Sequence, residues 1–181
     1  GVDGNAEDEF VELYNPTDAP IDFTGWALKK RTSSGIESNL VSSSAFRGTL
    51  ASKSFFLIAH QSYAGAISPD LRYSSNSQNI PYTNNAVVLY NASGVAVDTV
   101  AFLEIPKGQS IERKALLNSS CASAQGDGQF EGNACDTDNP SDFESRIIPQ
   151  PQHAASLSEP RSRPSAAQDV RATYDKATQR V

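Results

Sequence analysis

The chain has 181 residues, a mass of 19.4 kDa, a formal net charge of −6 and an isoelectric point near 4.9. That length holds one ordinary domain with appendages and hardly two full ones. An acidic surface repels phosphate backbones, and no run approaches the roughly 18 apolar residues that a membrane helix needs, so neither nucleic-acid binding nor membrane insertion is expected.

The apolar runs are short, rich in β-formers and separated by turn chemistry. Glu9-Phe10-Val11-Glu12-Leu13-Tyr14 closes on the turn Asn15-Pro16-Thr17-Asp18. Residues 21–28 form a second strand, with Gly25 before the sole tryptophan, Trp26. Residues 50–54 lead into Phe55-Phe56-Leu57-Ile58-Ala59, a continuous apolar run that reads as a fully buried strand. Residues 86–90 and 95–102 flank Asn91-Ala92-Ser93-Gly94, a hairpin in which glycine supplies the positive φ. Ser110-Ile111-Glu112-Arg113 is a late short strand. No helical periodicity longer than two turns occurs in residues 1–150. Six or seven strands with turns between them predict an all-β, Ig-like β-sandwich. The expected core carries Phe10, Leu13, Trp26, Phe56 and Leu89, with the layers closed around Trp26. Residues 33–46 and 62–85 read as long polar connections, the kind of loop where binding commonly occurs.

Two cysteines, Cys121 and Cys135, bracket a polar loop with Gly126, Gly128 and Gly132. They are either free thiols in a reducing compartment or one local disulfide. The disulfide is the favoured reading, because closing a loop of about 15 residues is worth roughly 3 kcal/mol where a segment has little core of its own. That places the chain in an oxidising compartment. No Cys/His spacing suggests zinc.

From Pro149 the composition turns to proline and serine, so residues 150–168 read as a flexible linker after a domain of residues 1–149. Beyond it, Asp169-Val170-Arg171-Ala172-Thr173-Tyr174-Asp175 alternates with a period of two. Residues 169–181 are then the start of a following β domain or a strand-donating tail. The rival reading is a helix capped by Ser165. Methionine is absent, even at position 1, so the chain reads as a processed or excised segment.

The order Asp8-Glu9-Phe10-Val11-Glu12-Leu13-Tyr14-Asn15-Pro16-Thr17, closed by Asp22-Phe23-Thr24-Gly25-Trp26-Ala27-Leu28, resembles the lamin tail domain family, particularly its bacterial extracellular members. Support continues at Gly48-Thr49-Leu50, at 55–58, at 85–102, at 110–113 and at Asn139-Pro140-Ser141-Asp142-Phe143, so the resemblance spans roughly 7–149. It implies an Ig-like sandwich used as a module of secreted or surface multidomain proteins, sometimes beside nuclease or phosphoesterase domains. One departure stands out. Members of the family open with a further strand before this segment, and here Gly1-Val2-Asp3-Gly4-Asn5 occupies the place of the loop after it. A sandwich lacking that strand has an open edge, which the tail of its own or a neighbouring chain could fill by strand addition.

Candidate chemistry is sparse. His60 reads as a strand-end surface residue and His153 as a linker residue, neither in a hydrolase motif. Asp136, Asp138, Asn139 and Asp142 are spaced as calcium ligands, with ordinary turn and capping chemistry as the commoner use of that pattern. Asp3, Glu7, Asp8 and Glu9 read as a solvated, frayed terminus. Tyr63, Tyr73 and Tyr82 lie in a polar loop, either contact residues or plain loop residues. Asn91 and Asn118 match the glycosylation acceptor pattern at close to chance frequency. No cofactor is expected apart from calcium at that one loop. The expectation is a protein without catalytic activity, extracellular or at the cell surface, whose partners are protein, glycan or a copy of itself. The alternatives are an accessory domain of a secreted hydrolase whose catalytic part lies elsewhere, and a strand-exchanging fibre subunit.

Overall fold

The structure, a computed structural model, describes residues 9–73 and 79–161. Thirteen strands occur among them: β1 (Phe10–Tyr14), β2 (Ile21–Asp22), β3 (Ala27–Thr32), β4 (Glu37–Val41), β5 (Thr49–Leu50), β6 (Phe55–His60), β7 (Leu71–Tyr73), β8 (Thr83–Tyr90), β9 (Ala96–Glu104), β10 (Ser110–Arg113), β11 (Ala115–Leu117), β12 (Ser120–Ala122) and β13 (Phe143–Arg146). One layer is the sheet β1-β6-β7, antiparallel between β1 and β6 and parallel between β6 and β7. The other is the antiparallel sheet β4-β3-β8-β9. Three two-stranded ribbons, β2-β5, β10-β13 and β11-β12, complete the described fold. This is an all-β, Ig-like sandwich.

Strand chemistry explains the layers. β6 is buried along its whole length, as an apolar run without alternation requires. On β3 only Leu28 is buried, and Lys29 and Arg31 sit on the outer face with Glu37 and Tyr90. The Asn91–Gly94 hairpin joins β8 to β9, with Gly94 at φ +75°.

The core is centred on aromatic rings. Phe23 meets Phe46 at 5.0 Å and Phe56 at 5.5 Å, both edge-to-face. Trp26 reaches Phe23 at 5.2 Å but is only partly buried, so it lies on the flank of the core and not at its centre. Leu13 and Leu89 also pack from the side, Phe56 lies inside, and Phe10 sits outside this cluster against Tyr63, with ring centroids 6.1 Å apart.

Several expectations are corrected. Residues 21–28 do not form one strand. Gly25 takes φ +81°, Trp26 donates its N–H to the Phe23 carbonyl, and Asp22 accepts from Thr24, so the chain turns between β2 and β3. The connection at 33–46 contains β4, hidden because Glu37, Ser38 and Asn39 are polar and only Leu40 and Val41 reach the core. The connection at 62–85 contains β7, and its Tyr73 is buried, as is Tyr63; Tyr82 alone of the three is exposed.

His60 is 1 % exposed, far from a surface residue. Glu9 is not part of a frayed end; it accepts from the Ile80 N–H at 2.6 Å, and burial raises its pKa. Asp3, Glu7 and Asp8 lie outside the described residues.

The described part of the expected linker, residues 150–161, is tied to the sandwich. The Gln152 N–H donates to Glu12, Glu159 N–H to the Lys53 carbonyl at 2.9 Å, and the Tyr14 hydroxyl to the Glu159 carbonyl at 2.6 Å. Low apolar content marked this segment as loose, yet polar atoms anchor it. The tail 169–181 lies outside the described residues.

Candidate functional site

β1 and β9 each have a neighbour on one side only among the described residues. Glu9 and Asn15 direct backbone atoms toward the β6 side, through His60 N–H to the Glu9 carbonyl and Asn15 N–H to the Ser54 carbonyl. Alternation then turns the N–H and C=O of Phe10, Glu12 and Tyr14 away from β6. Phe10, Glu12 and Tyr14 also line a cleft of about 1740 Å³ whose lining includes residues of β9. One wall is apolar, with Val11, Leu13, Trp26, Leu89, Val100 and Phe102. The other carries Glu12, Glu112, Arg146, Glu159 and Arg161.

That second wall is electrostatically unbalanced. Burial pushes the Glu12 carboxyl up to about 8; the Gln152 N–H and Arg146 act against this, while Glu112 and Glu159 add to it. Arg146 is engaged elsewhere, in an ion pair with Glu112. Glu159 is also raised by burial, opposed by Gln152, Arg161 and the Gly132 N–H. Arg161 stacks on the Phe130 ring at 4.1 Å. Tyr14 is pushed up to about 12 by burial and by the Glu159 charge. The outer face of the four-stranded sheet is the opposite case, where Tyr90 and Arg31 hold Glu37 down at about 2.

Most of the residues singled out for chemistry lie in or beside one loop. Cys121 and Cys135 form a disulfide, with Cα atoms 5.3 Å apart, a bond that persists in oxidising compartments. The Asp142 carboxylate accepts from Thr137 N–H at 2.6 Å, Thr137 Oγ1 at 2.6 Å and Asn139 N–H at 3.2 Å. Asn139 caps the 3-10 turn Pro140–Asp142, accepting from the Ser141 N–H. Asp136 pairs with Arg113 at 2.8 Å, and Asp138 sits at φ +57° in the turn. Asp142 and Asn139 accept from the loop's own backbone and Asp136 pairs with a neighbouring arginine. Cys121, Cys135 and Asp142 do come together, but the two sulfurs are bonded to each other and are not thiolate ligands.

His60 accepts from the Ser62 N–H at 3.2 Å through Nδ1, and its Nε2 is buried without a partner. Among the described residues neither His60 nor His153 has an imidazole hydrogen bond to a hydroxyl, thiol or carboxylate. The Asn91 side chain accepts from Ser93 and Val95 N–H and shapes its hairpin. Asn118 and Ser119, both at positive φ, make the β11-β12 turn.

Sequence reasoning missed Glu12, Glu159 and Arg146 as a cluster. Only the placement of a charged Glu12 within an apolar strand could have pointed to it. It also took Asn15 for a turn residue alone, whereas Asn15 is fully buried and donates to the carbonyls of Ala19 at 2.9 Å and Ala51 at 3.0 Å.

An Ig-like sandwich stapled by a disulfide, with an open sheet edge among the described residues, has the character of a structural or interaction domain. The model of the Lamin Tail Domain family matches residues 1–104. The chain belongs to that family, a family of non-catalytic Ig-like domains. No curated protein matches it.

Proposed function

We propose that this chain is a non-catalytic interaction module of a secreted or cell-surface multidomain protein, and that its working surface is the free edge of β1, which takes an extended polypeptide strand. The observation that carries this is the set of N–H and C=O groups of Phe10, Glu12 and Tyr14 turned away from β6, in residues that line the cleft, with no strand beyond them among the described residues. Such an edge is a template for strand addition, where backbone bonds supply affinity and alternate side chains supply specificity. The cleft also exceeds the roughly 300–1,000 Å³ typical of small-molecule sites. An edge of backbone donors and acceptors favours a protein strand over a glycan. The disulfide supports an extracellular setting.

Trp26 lines the cleft and is the sole tryptophan, so its emission reports occupancy. With the alternation of the chain's own tail broken by Val170→Asp and Tyr174→Asp, titration with an extended peptide alternating apolar and basic residues should shift that emission saturably. The same peptide interrupted by prolines should not. An equal response to both, or substrate turnover abolished by His60→Ala, contradicts the proposal.

A further inference from the structure

The two sides of the β1 edge ask for a particular strand. One side is apolar, presented by Val11 and Leu13, and the other presents Glu12, whose neighbours Glu112 and Glu159 are ion-paired with Arg146 and Arg161 while Glu12 is not. A fitting strand alternates apolar residues with residues that include a cation. The chain contains such a segment outside the described residues: in Asp169-Val170-Arg171-Ala172-Thr173-Tyr174-Asp175, the positions Val170, Ala172 and Tyr174 alternate with Arg171 and Thr173.

Charge points the same way. Residues 162–181 hold Arg163, Arg171, Lys176 and Arg180 against Asp169 and Asp175, a net +2, whereas the whole chain is −6, leaving −8 on residues 1–161. The segment that precedes β1 in sequence, Gly1 to Asp8, carries Asp3, Glu7 and Asp8 and no basic side chain, and its carboxylates would add repulsion beside Glu12.

Reach is sufficient. Arg161, the last described residue, itself lines the cleft. The seven residues from 162 to 168 span about 25 Å when extended, at about 3.3–3.6 Å each. A tether that short gives an effective concentration on the order of millimolar, so pairing within one chain outcompetes pairing between copies at ordinary protein concentrations.

We infer that residues 169–175 of the same chain add as a strand to the free edge of β1, setting Val170, Ala172 and Tyr174 against Val11 and Leu13 and Arg171 beside Glu12. This rests on the reading of that edge as strand-accepting. The pairing satisfies the outward backbone groups of Phe10, Glu12 and Tyr14 and brings a cation to Glu12, the carboxylate of that wall without an ion pair among the described residues. It also fixes where anything following the tail is held relative to the sandwich.

The test compares amide hydrogen exchange in the 181-residue chain and in its Val170→Asp/Tyr174→Asp variant, whose changes lie outside the described residues. The amides of residues 10, 12 and 14 should exchange at least about ten-fold faster in the variant, with β6 amides unchanged. A synthetic peptide of residues 165–181 added to the variant should restore protection, and light scattering should find a monomer in both proteins. Equal exchange in the two proteins overturns the inference. If the peptide nonetheless protects the edge, the strand-accepting reading survives and only the assignment to the tail fails; if it does not, both fail. A dimer that becomes a monomer in the variant overturns pairing within one chain and replaces it with exchange between copies.

Discussion

Glu12 shows how one residue can carry two demands. Its backbone is half ladder and half open edge, and its carboxyl sits beside Glu112 and Glu159 with only Arg146 and the Gln152 N–H in compensation. With a folded value of about 8 against an ordinary 4.5, the folded chain keeps a proton between those values that the unfolded chain has lost. Stability from this group is therefore fully present below pH of about 4.5 and is lost as pH rises through about 8. In the Val170→Asp/Tyr174→Asp background, where the tail brings no cation to this carboxyl, Glu12→Gln mimics the protonated form, so it should match its parent near pH 5 and melt at a higher temperature near pH 8.5. Some slope should remain, because Glu9 and Glu159 are shifted in the same direction. Melting profiles with the same pH slope in parent and variant would refute this placement of Glu12. Asn15 carries the opposite lesson. Its side chain satisfies two loops at once while fully buried, yet Asn-Pro in the sequence announces only a turn, because which carbonyls converge on an amide is decided by chain crossings the local sequence does not encode.

At the scale of elements, strands with a strong pattern were legible and weakly patterned ones were not. Phe55 to Ala59 and the hairpin at Asn91–Gly94 stand where their chemistry puts them, because an unbroken apolar run must be buried and a glycine must serve a positive φ. β4 escaped notice because its solvent-facing residues outnumber its core residues, and β7 because three residues make no period. The segment 150–161 misled for a different reason. Proline and serine predict looseness, but the segment is held by Tyr14, Glu12 and Lys53, residues more than 100 positions away. Gly132 supports this clamp: a Cβ there would stand 2.2 Å from the Tyr14 hydroxyl, and its φ is +79°. Gly132→Ala should displace Tyr14 from the Glu159 carbonyl and cost about 1–3 kcal/mol. Limited proteolysis between residues 150 and 161 should be faster in the variant; unchanged cleavage would mean that the clamp does not depend on this contact.

For the molecule as a whole, the sandwich was readable from its period-two patterning, while the site was not, since the cleft exists only where two sheet edges and a distant segment meet. Residues after 104, the end of the family match, are bound back to the sandwich through Arg113, which holds Asp98 with both carboxylate oxygens at 2.8 Å and reaches Asp136. The disulfide closes the loop beside this contact, and a loop of that length contributes roughly 3 kcal/mol. Without reductant, Cys121 and Cys135 should resist alkylation in the native protein and after denaturation alike. Modification of both under those conditions would remove the support for an oxidising compartment.

The central claim is that the outward N–H groups of β1 receive a polypeptide strand. It is tested most directly by comparing Glu12→Pro with Glu12→Ala in the Trp26 titration, each in the Val170→Asp/Tyr174→Asp background so that the tail does not compete for the edge. Both variants lose the carboxylate and its contact to Gln152, but only proline removes the outward N–H, at an edge position where it leaves the β1-β6 ladder intact. The account predicts that the alanine variant still binds the alternating peptide and the proline variant does not. Equal binding by the two would contradict it.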